Sequence, residues 1–329
     1  MTRYRTLEVS VEDWPLEQPF TISRGVSHSA EVVVVRLTQD GAEGRGESTP
    51  TDHYGESCEG VVAAIEACRD RLEGEEKPSA PGMDLRGAAA NAVDCALVDL
   101  ACKQAGKRAW DILGEPEPGP VQTTKTVPLD TPDKMAADAR KWPTYNLLKI
   151  KLGMPDGDLG RVAAVRAARP DARLICDANE GWSIDQLRDY VGSLRDAGLE
   201  MIEQPLPAGQ DDALRDFTSP IPLCADESCH VAADVEALVG KYDLVNIKLD
   251  KTGGLRPGLE LATAARAHDM KIMVGCMLGT SLAMAPGLLV AQYAKFVDLD
   301  GPLALVGDRN PGLSYRDGFV SVPDAALWG

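Results

Sequence analysis

The chain has 329 residues, of which 51 are acidic and 34 are basic, so its formal net charge at pH 7 is −17. A hydrophobic fraction of 44% and a charged fraction of 26% are typical of a globular protein. Binding to nucleic acid or to an anionic membrane surface needs clustered cations, and the acidic balance argues against both partners. A small anionic substrate is compatible with it, because a few basic side chains can dominate one pocket. The length fits about two domains, or one large barrel with additions.

The N-terminal residues alternate polar and apolar side chains and include Glu8, Glu12 and Asp13. A secretory signal would need an unbroken apolar stretch there, and no run approaches the ~18 apolar residues of a membrane helix. The eight cysteines are spread singly, without a C-x-x-C pair, and several lie in apolar runs. We therefore expect buried free thiols and a cytoplasmic, reducing compartment.

The first 50 residues predict antiparallel strands. Arg3–Val11 alternates polar and apolar side chains, and Ala30–Leu37 is apolar and rich in valine, so both are predicted strands. Phe20–Ser27 lies between them and is predicted to be a loop or a strand edge. Glycines at positions 41, 44 and 46 mark a turn before a further short strand.

Two helices are predicted next, over residues 57–75 and 83–105. The second carries small side chains at helical spacing, which indicates close packing. The Pro- and Gly-rich sequence GEPEPGP at 114–120 is the candidate domain boundary. We therefore expect residues 1–118 to form an N-terminal α+β capping domain.

From Val121 onward, short apolar runs alternate with helical segments, a pattern that indicates βαβ units and a parallel sheet. The predicted strands are TTKTVPL, NLLKIKL, ARLICDA, LEMIEQP, IPLCADE, DLVNIKL, KIMVGCM and AKFVDLD. The predicted helices include 160–168, 184–197, 233–238 and 255–268. The fold class is therefore α/β, a modified (β/α)7β TIM-type barrel over 119–304, with residues 305–329 returning to the cap. A doubly wound dinucleotide-binding sheet is the weaker alternative, because GAEGRG at 41–46 has the wrong spacing and context for its glycine motif.

Acidic residues end three consecutive predicted strands of the barrel. They are Asp177, Glu203 and Asp226, and their spacing is close to one βα repeat. The carboxyl ends of barrel strands face the active site, and adjacent strands lie ~4.8 Å apart. Three carboxylates crowded in this way would repel one another unless a cation compensates them. An all-oxygen ligand set suits a hard divalent cation, so the sequence predicts a Mg²⁺ site.

Lysines flank these acids on both sides. Lys149 and Lys151 are two residues apart on one strand and therefore point the same way, and Lys248 ends a strand across the barrel. Ammonium groups close to one another and to a metal have lowered pKa values, as a lysine base requires. Two lysines on opposite faces of one carbon could remove a proton from one side and return a proton from the other. A metal holding a substrate carboxylate would stabilise the enediolate formed between these steps.

The order KIK, DAN, EQP, ADES and NIK resembles the enolase superfamily in its muconate-lactonizing-enzyme subgroup. GRGESTPTDHYGES (44–57) and ALVDLACKQAGKRAWDILG (96–114) resemble the cap of that subgroup, so the resemblance covers nearly the whole chain. It implies Mg²⁺ ligands at Asp177, Glu203 and Asp226, and acid–base lysines at Lys151 and Lys248. It also implies that Lys149 assists at the substrate carboxylate.

Substrate specificity is expected at two further places. Asp298-Leu-Asp300 resembles the D-x-D pair of dipeptide epimerases, which binds the free α-ammonium of an N-terminal residue, and alternate strand positions would form such a pincer. Arg24 resembles the arginine that pairs with a glutamate side chain in Ala-Glu epimerases. Tyr54 is expected to close over the pocket. We also expect Thr126, Cys276 and Met277, in two of the predicted strands, to contact substrate.

Two further features of the sequence concern the pocket. Gly279 stands where many relatives of the subgroup carry a glutamate, which leaves the polarity of that strand open. His28 and His53 lie on or near the cap loops, where a lone histidine is most often incidental. No histidine ends a predicted barrel strand, which argues against the mandelate-racemase subgroup.

The expected activity is that of an isomerase, a Mg²⁺-dependent dipeptide epimerase acting by 1,1-proton transfer at the Cα of the C-terminal residue of Ala-Glu-like dipeptides. Within the family, racemisation of an N-acyl acidic amino acid, or another muconate-cycloisomerase-type reaction on a carboxylate, is the alternative. An N-acyl substrate has no ammonium and would leave Asp298 and Asp300 without a cation. A non-catalytic carboxylate-binding barrel is the alternative from another functional class. The sequence leaves the oligomeric state open, with a homo-oligomer as one option.

Overall fold

A computed structural model describes residues 5–74 and 83–329. Arg3, Tyr4 and residue 75, at the edges of two predicted elements, lie outside the described residues. The N-terminal sheet has three antiparallel strands in the order β1–β2–β3. They are β1 (Thr6–Ile22), β2 (Gly25–Gln39) and β3 (Ala42–Ser48). The pairing register of β1 and β2 shifts between Pro15 and Phe20. Phe20–Ser27, predicted as a loop or strand edge, is the tip of this long hairpin.

The valine run of β2 is buried on both faces of the sheet. Alternate residues of a strand point to opposite faces. Val33 and Val35 pack with the cap helices, whereas Val32 and Val34 join the large core shared with the barrel. This double burial explains why the run is continuously apolar rather than alternating.

The cap helices are α1 (Cys58–Glu66), α2 (Arg69–Glu73), α3 (Gly87–Ala105) and α4 (Ala109–Leu113). The prediction of one continuous helix over 57–75 is wrong, because the helix ends at Glu66 and a second one starts at Arg69. Helix α3 lies directly on β3. A Cβ added to Gly46 would lie 2.0 Å from the carbonyl oxygen of Ala92, so only glycine allows this approach.

The parallel sheet has eight strands in sequence order, β5 to β12. They are β5 (Lys125–Val127), β6 (Leu147–Lys151), β7 (Arg173–Asp177), β8 (Leu199–Glu203), β9 (Leu223–Ala225), β10 (Leu244–Ile247), β11 (Lys271–Val274) and β12 (Phe296–Val297). Each falls in one of the eight predicted apolar runs. The backbone N–H of Thr124, beside β5, donates to the carbonyl of Val297 in β12 at 2.8 Å, which joins the two edges of the curled sheet. The predicted capped TIM-type barrel is confirmed.

Helices connect the strands on the outside of the barrel. They are α5 (Pro132–Arg140), α6 (Asp158–Ala168), α7 (Ile184–Asp196), α8 (Val235–Leu238), α9 (Leu249–Thr252), α10 (Leu255–Ala267) and α11 (Ser281–Ala291). The start of α7 is encoded locally, because Ser183 and Gln186 exchange side-chain-to-backbone hydrogen bonds in a capping box. After β12 the described chain forms the 3-10 turn Gly301–Ala304 in place of a further α-helix, in agreement with a (β/α)7β barrel.

The C-terminal segment pairs with the barrel and contacts the cap. Its strands β13 (Tyr315–Arg316) and β14 (Phe319–Val320) form a small sheet with β4 (Val121–Gln122). The indole N–H of Trp328 donates to the carbonyl of Cys95 in α3 at 3.1 Å.

The eight cysteines are free thiols, five of them buried. Among the described helices, none has the length and apolarity needed to cross a membrane.

Candidate active site

Three buried acids converge at the carboxyl ends of neighbouring strands. Asp177 ends β7, Glu203 ends β8 and is its register partner, and Asp226 follows β9 directly. Each offers a carboxylate oxygen, and these oxygens lie within 4.8 Å of one another. All three residues are at most 1% exposed. The structure therefore brings together the three acids that the sequence predicts as metal ligands; we call them the acid triad.

The charges in the triad are strongly coupled. Burial, and then the negative charges of Asp177 and Asp226, raise the pKa of Glu203 to about 8. Burial also opposes the ionisation of Asp226, but Lys248 and Lys251 outweigh it and hold the pKa of Asp226 well below its ordinary value. The negative charge of the triad is therefore least favourable at its central acid, Glu203. A cation bound to the triad would reduce this cost.

The two lysines of β6 point into the site together, whereas Ile150 between them packs in the core. The Nζ atom of Lys151 lies 2.6 Å from Asp177 Oδ2. Lys149 Nζ lies deeper, 2.7 Å from Glu203 Oε2 and 3.2 Å from Asp177 Oδ2. Lys149 is only 1% exposed, so its charge is held among carboxylates rather than by water.

Lys248 approaches the triad from the other end. It follows β10 directly, and its Nζ atom lies 2.7 Å from Asp226 Oδ2. Strands β7, β8 and β9 separate β6 from β10 in the sheet. Lys151 and Lys248 therefore contact the two outer acids of the triad, one each.

The sequence predicts lowered lysine pKa values at this site, but the protein side chains alone have the opposite effect on Lys248. Burial disfavours the ammonium form of Lys248, but Asp226 and Glu203 outweigh burial and raise its pKa well above the ordinary value. A lysine base at this position needs a cation's charge to offset the acids.

Sequence reasoning missed two supporting side chains of the triad. Lys251, one helical turn after Lys248, is fully enclosed, and its Nζ atom lies 2.6 Å from Asp226 Oδ1 and 2.8 Å from the carbonyl of Cys229. Asn246 donates from Nδ2 to Glu203 Oε1 at 2.7 Å. Asn246 stands two positions before Lys248 in a strand, so period-two alternation could have placed it on the same face.

Asp298 and Asp300 lie side by side at the end of β12, as predicted, but each already has a lysine partner. Lys149 Nζ lies 2.7 Å from Asp298 Oδ2, and Lys125 Nζ lies 3.0 Å from Asp300 Oδ2. Thr126 bridges the two acids, with its hydroxyl 3.3 Å from Asp298 Oδ1 and 3.2 Å from Asp300 Oδ1. Lys125 was not among the predicted site residues.

Arg24 lies at the tip of the β1–β2 hairpin and reaches across to the barrel. Its guanidinium lies 2.8 Å from Glu227 Oε1 and 3.2 Å from Glu180 Oε2. His53, expected to be incidental, contacts Glu180 Oε2 through Nε2 at 2.9 Å. The Arg24 side chain is 30% exposed, so these ion pairs leave it only partly buried.

The remaining predicted contacts lie around the mouth of the site. The ring of Tyr54 packs edge-on against His230, with centroids 4.7 Å apart. Burial, then the charge of Asp226, raises the pKa of the Tyr54 hydroxyl. Cys276 and Met277 follow β11 and are half-buried. Burial raises the pKa of the Cys276 thiol, with further contributions from Asp298 and Asp300, so Cys276 is a neutral thiol beside the acid pair.

The departure at Gly279 has a structural counterpart in the cap. A Cβ on Gly279 would lie 3.2 Å from Oε1 of Glu47, a buried residue of β3. The Glu47 carboxylate accepts from the backbone N–H of Thr280 at 2.7 Å and pairs with Arg309 at 2.6 Å. A carboxylate is therefore present beside this loop, although it comes from another part of the chain and is already paired.

The acid triad fits Mg²⁺. Its donors are three carboxylates, which are hard oxygen ligands, and they converge at the ends of neighbouring strands. Burial and the two neighbouring acids raise the pKa of Glu203 even with Lys149 at 2.7 Å. A divalent cation held by the three carboxylates would favour the ionised form of Glu203.

A capped barrel that presents three buried acids between two lysines has the architecture of a metal-dependent acid–base enzyme. The family model "Enolase C-terminal domain-like" matches residues 134–326. The family model "Mandelate racemase / muconate lactonizing enzyme, N-terminal domain" matches residues 4–114. The chain belongs to the mandelate racemase/muconate lactonizing enzyme family of the enolase superfamily, and the resemblance drawn from its strand-end motifs is confirmed.

Similar proteins include epimerases and a racemase. An L-Ala-D/L-Glu epimerase from Escherichia coli (strain K12) is 46% identical over 319 residues, which cover 95% of this chain and 98% of that protein. An N-acetyl-D-glutamate racemase from Pseudoalteromonas sp. is 41% identical over 301 residues, which cover 91% and 95% of the respective chains.

Two solved structures are similar over almost the whole chain. An enolase family member from Agrobacterium tumefaciens with homology to dipeptide epimerases, solved with sodium and L-Ala-L-Glu, has a TM-score of 0.95 and 47% identity and covers 99% of this chain and 100% of that one. A dipeptide epimerase from Cytophaga hutchinsonii, in complex with Mg and D-Ala-L-Val, has a TM-score of 0.91 and 30% identity, with coverage of 98% and 94%.

Proposed function

We propose that this protein is a Mg²⁺-dependent dipeptide epimerase that inverts the Cα of the C-terminal residue of Ala-Glu-like dipeptides. The observation that carries the proposal is the placement of Lys151 and Lys248 on the two outer acids of one buried triad. A carboxylate-binding site needs only the cation, whereas a reaction that inverts a carbon needs a proton-transfer group on each side of it. The similarity to the E. coli epimerase supports the substrate class.

The two lysines exchange one proton at the substrate Cα. One acts as a neutral amine and takes the α-proton, and the other acts as an ammonium and gives a proton to the opposite face. The intermediate is an enediolate, and after turnover the protonation states of the lysines are exchanged. Asp177, Glu203 and Asp226 would hold Mg²⁺, which supplies positive charge against the negative charge developing on the substrate carboxylate.

The ends of the dipeptide are assigned by charge. Asp298 and Asp300 would receive the α-ammonium, because they present two carboxylates at one strand end. Arg24 would bind the acidic side chain of the second residue. In the structure Arg24 pairs with Glu180 and Glu227, so a substrate carboxylate must share the guanidinium with these two acids.

The sequence suggests that an N-acyl substrate would leave Asp298 and Asp300 without a cation. In the structure Lys149 and Lys125 already pair with these two acids, so an N-acyl substrate is less disfavoured than expected. For a dipeptide, the Asp298→Asn variant should weaken kcat/KM by about 1–3 kcal/mol through loss of a charge-assisted hydrogen bond. For an N-acyl substrate the same change should matter little.

The proposed function is tested by hydrogen exchange in D2O with Mg²⁺ and L-Ala-L-Glu, followed by NMR. The wild type should incorporate deuterium at the Cα of the glutamate residue and form the diastereomer. Lys151→Ala and Lys248→Ala should each abolish inversion, whereas Lys134→Ala, which changes an exposed lysine paired with Asp130, should not. Binding of Mg²⁺ and dipeptide, seen as a raised Tm, without any exchange would support a non-catalytic binding protein instead.

A second test addresses the side-chain pocket. Arg24→Met should lower kcat/KM for L-Ala-L-Glu by about 10- to 100-fold, which corresponds to the loss of a charge-assisted hydrogen bond. It should also reduce the preference for L-Ala-L-Glu over L-Ala-L-Gln. An unchanged preference for the acidic side chain would remove Arg24 from the assignment.

We also infer a reducing, cytoplasmic location from the free cysteines, five of which are buried thiols.

A further inference from the structure

Lys125 is a buried cation at the expected ammonium site. It begins β5 and is only 6% exposed. Its Nζ atom lies 3.0 Å from Asp300 Oδ2 and 5.0 Å from the centroid of the Trp142 ring, so two contacts hold its ammonium group in place. Lys149 contacts the other acid of the pair, Asp298.

The position of Lys125 changes what the acid pair selects. Two uncompensated carboxylates in a buried pocket would bind a cation strongly and would disfavour an uncharged group, because their charge would remain unbalanced. Here Asp300 has an ammonium partner of its own in Lys125, whereas Asp298 shares Lys149 with Glu203 and Asp177. Asp300 also accepts from the backbone N–H of Thr126 at 2.8 Å, so its charge is satisfied before any substrate arrives.

We propose that Lys125 is a specificity-determining residue that lets this pocket accept an N-acylated acidic amino acid in addition to a dipeptide. The proposal rests on the proposed epimerase function, since the same lysines would move the same α-proton. Atoms and charges balance without a further reactant, because the reaction remains the removal of one proton from Cα and the return of one proton to its other face. An N-acyl glutamate differs from an alanyl glutamate at the site of Lys125, not at the reacting carbon.

N-propionyl-L-glutamate is the sharpest probe, because it is L-Ala-L-Glu with the amino group replaced by hydrogen. The measured quantity is the ratio of kcat/KM for L-Ala-L-Glu to kcat/KM for N-propionyl-L-glutamate. In Lys125→Met, Asp300 keeps its charge but loses its cation, so the dipeptide ammonium should gain and the uncharged propionyl group should lose. We expect the ratio to rise about tenfold or more, with most of the change in KM.

Three further variants separate charge from structure. Lys125→Arg retains the cation and should restore a ratio close to that of the wild type. Lys125→Gln keeps a hydrogen-bond donor without charge, and it should raise the ratio as Lys125→Met does. It provides the same test if Lys125→Met folds poorly. Lys134→Met removes an exposed lysine of α5 that pairs with Asp130, and it should leave the ratio unchanged.

The outcomes distinguish this proposal from the proposed function. Absence of exchange with both substrates in the wild type would overturn the epimerase assignment itself. Exchange with L-Ala-L-Glu but none with N-propionyl-L-glutamate would overturn only the role of Lys125, and so would an equal ratio in the wild type and in both neutral variants.

Discussion

Replacement of Glu203 by glutamine tests whether the acid triad is short of positive charge. Burial and its two acidic neighbours raise the pKa of Glu203 from an ordinary 4.5 to about 8. The folded protein therefore binds a proton at Glu203 between these two values that the unfolded chain does not bind. Stability contributed by this group is highest below pH 4.5 and falls as the pH rises toward 8, at about 1.4 kcal/mol per pH unit. At pH 7 the cost reaches about 3 kcal/mol.

Glu203→Gln removes this titration and keeps an oxygen to accept the hydrogen bond from Asn246. Urea unfolding in EDTA between pH 5 and pH 8 should show that the variant gains stability relative to the wild type as the pH rises. Asp250, whose pKa burial raises to about 7, is influenced by Glu56 and Glu47 and not by the triad, so its titration contributes equally to both proteins and cancels in the difference.

Glu200→Gln is the matched control on the same strand. Glu200 is paired with Arg173, and this hydrogen bond lowers its pKa, so its titration lies below the tested range. Saturating Mg²⁺ should flatten the pH dependence of the wild type and should stabilise Glu203→Gln far less. A stability difference between Glu203→Gln and wild type that is the same at pH 5 and pH 8 would refute the account of the triad.

Three other substitutions test the framework around the site. Gly46→Ala places a Cβ 2.0 Å from the carbonyl of Ala92 and should cost about 3 kcal/mol or more of unfolding free energy in urea. Arg309→Met leaves the buried carboxylate of Glu47 without its cation and should cost about 3–5 kcal/mol, with partial recovery in the lysine variant. Lys251→Met removes the ammonium 2.6 Å from an acid of the triad and should lower Tm sharply in EDTA. Since that acid becomes less compensated, added Mg²⁺ should raise the Tm of Lys251→Met more than that of the wild type.

The barrel could be predicted from the sequence because each of its strands is a short apolar run with its own local signal. The cap was harder. The break between α1 and α2 falls within a segment of helix-forming residues, and nothing in residues 57–75 marks it. The hairpin tip around Phe20–Ser27 carries polar residues and glycine, which are typical of loops, and it is kept extended by pairing between β1 and β2. Tertiary pairing of this kind overrides local propensity.

The candidate site also contains residues that could be placed from the sequence and residues that could not. Asp177 and Glu203 could be placed together because the carboxyl ends of parallel strands share one edge of the sheet. Lys125 and Lys251 could not, because their roles depend on where a long side chain ends. The ammonium of Lys251 folds back from α9 to an acid that lies 25 positions earlier, and Lys125 reaches an acid 175 positions later. The position of a residue in a strand predicts the face to which its side chain points, whereas the partner of a lysine is set by the surrounding packing.

The lysines and acids of the site form one balanced set, and this balance links the cation to the proposed chemistry. The described ion pairs connect five acids with five lysines: Asp177, Glu203, Asp226, Asp298 and Asp300 with Lys125, Lys149, Lys151, Lys248 and Lys251. Fully ionised, these ten groups have no net charge. Asp177, Glu203 and Asp226 would hold a divalent cation, which would add two positive charges to this set and offset the attraction of these acids for Lys151 and Lys248. That added charge would favour the neutral amine form that a lysine base requires. It would also favour the binding of an anionic substrate.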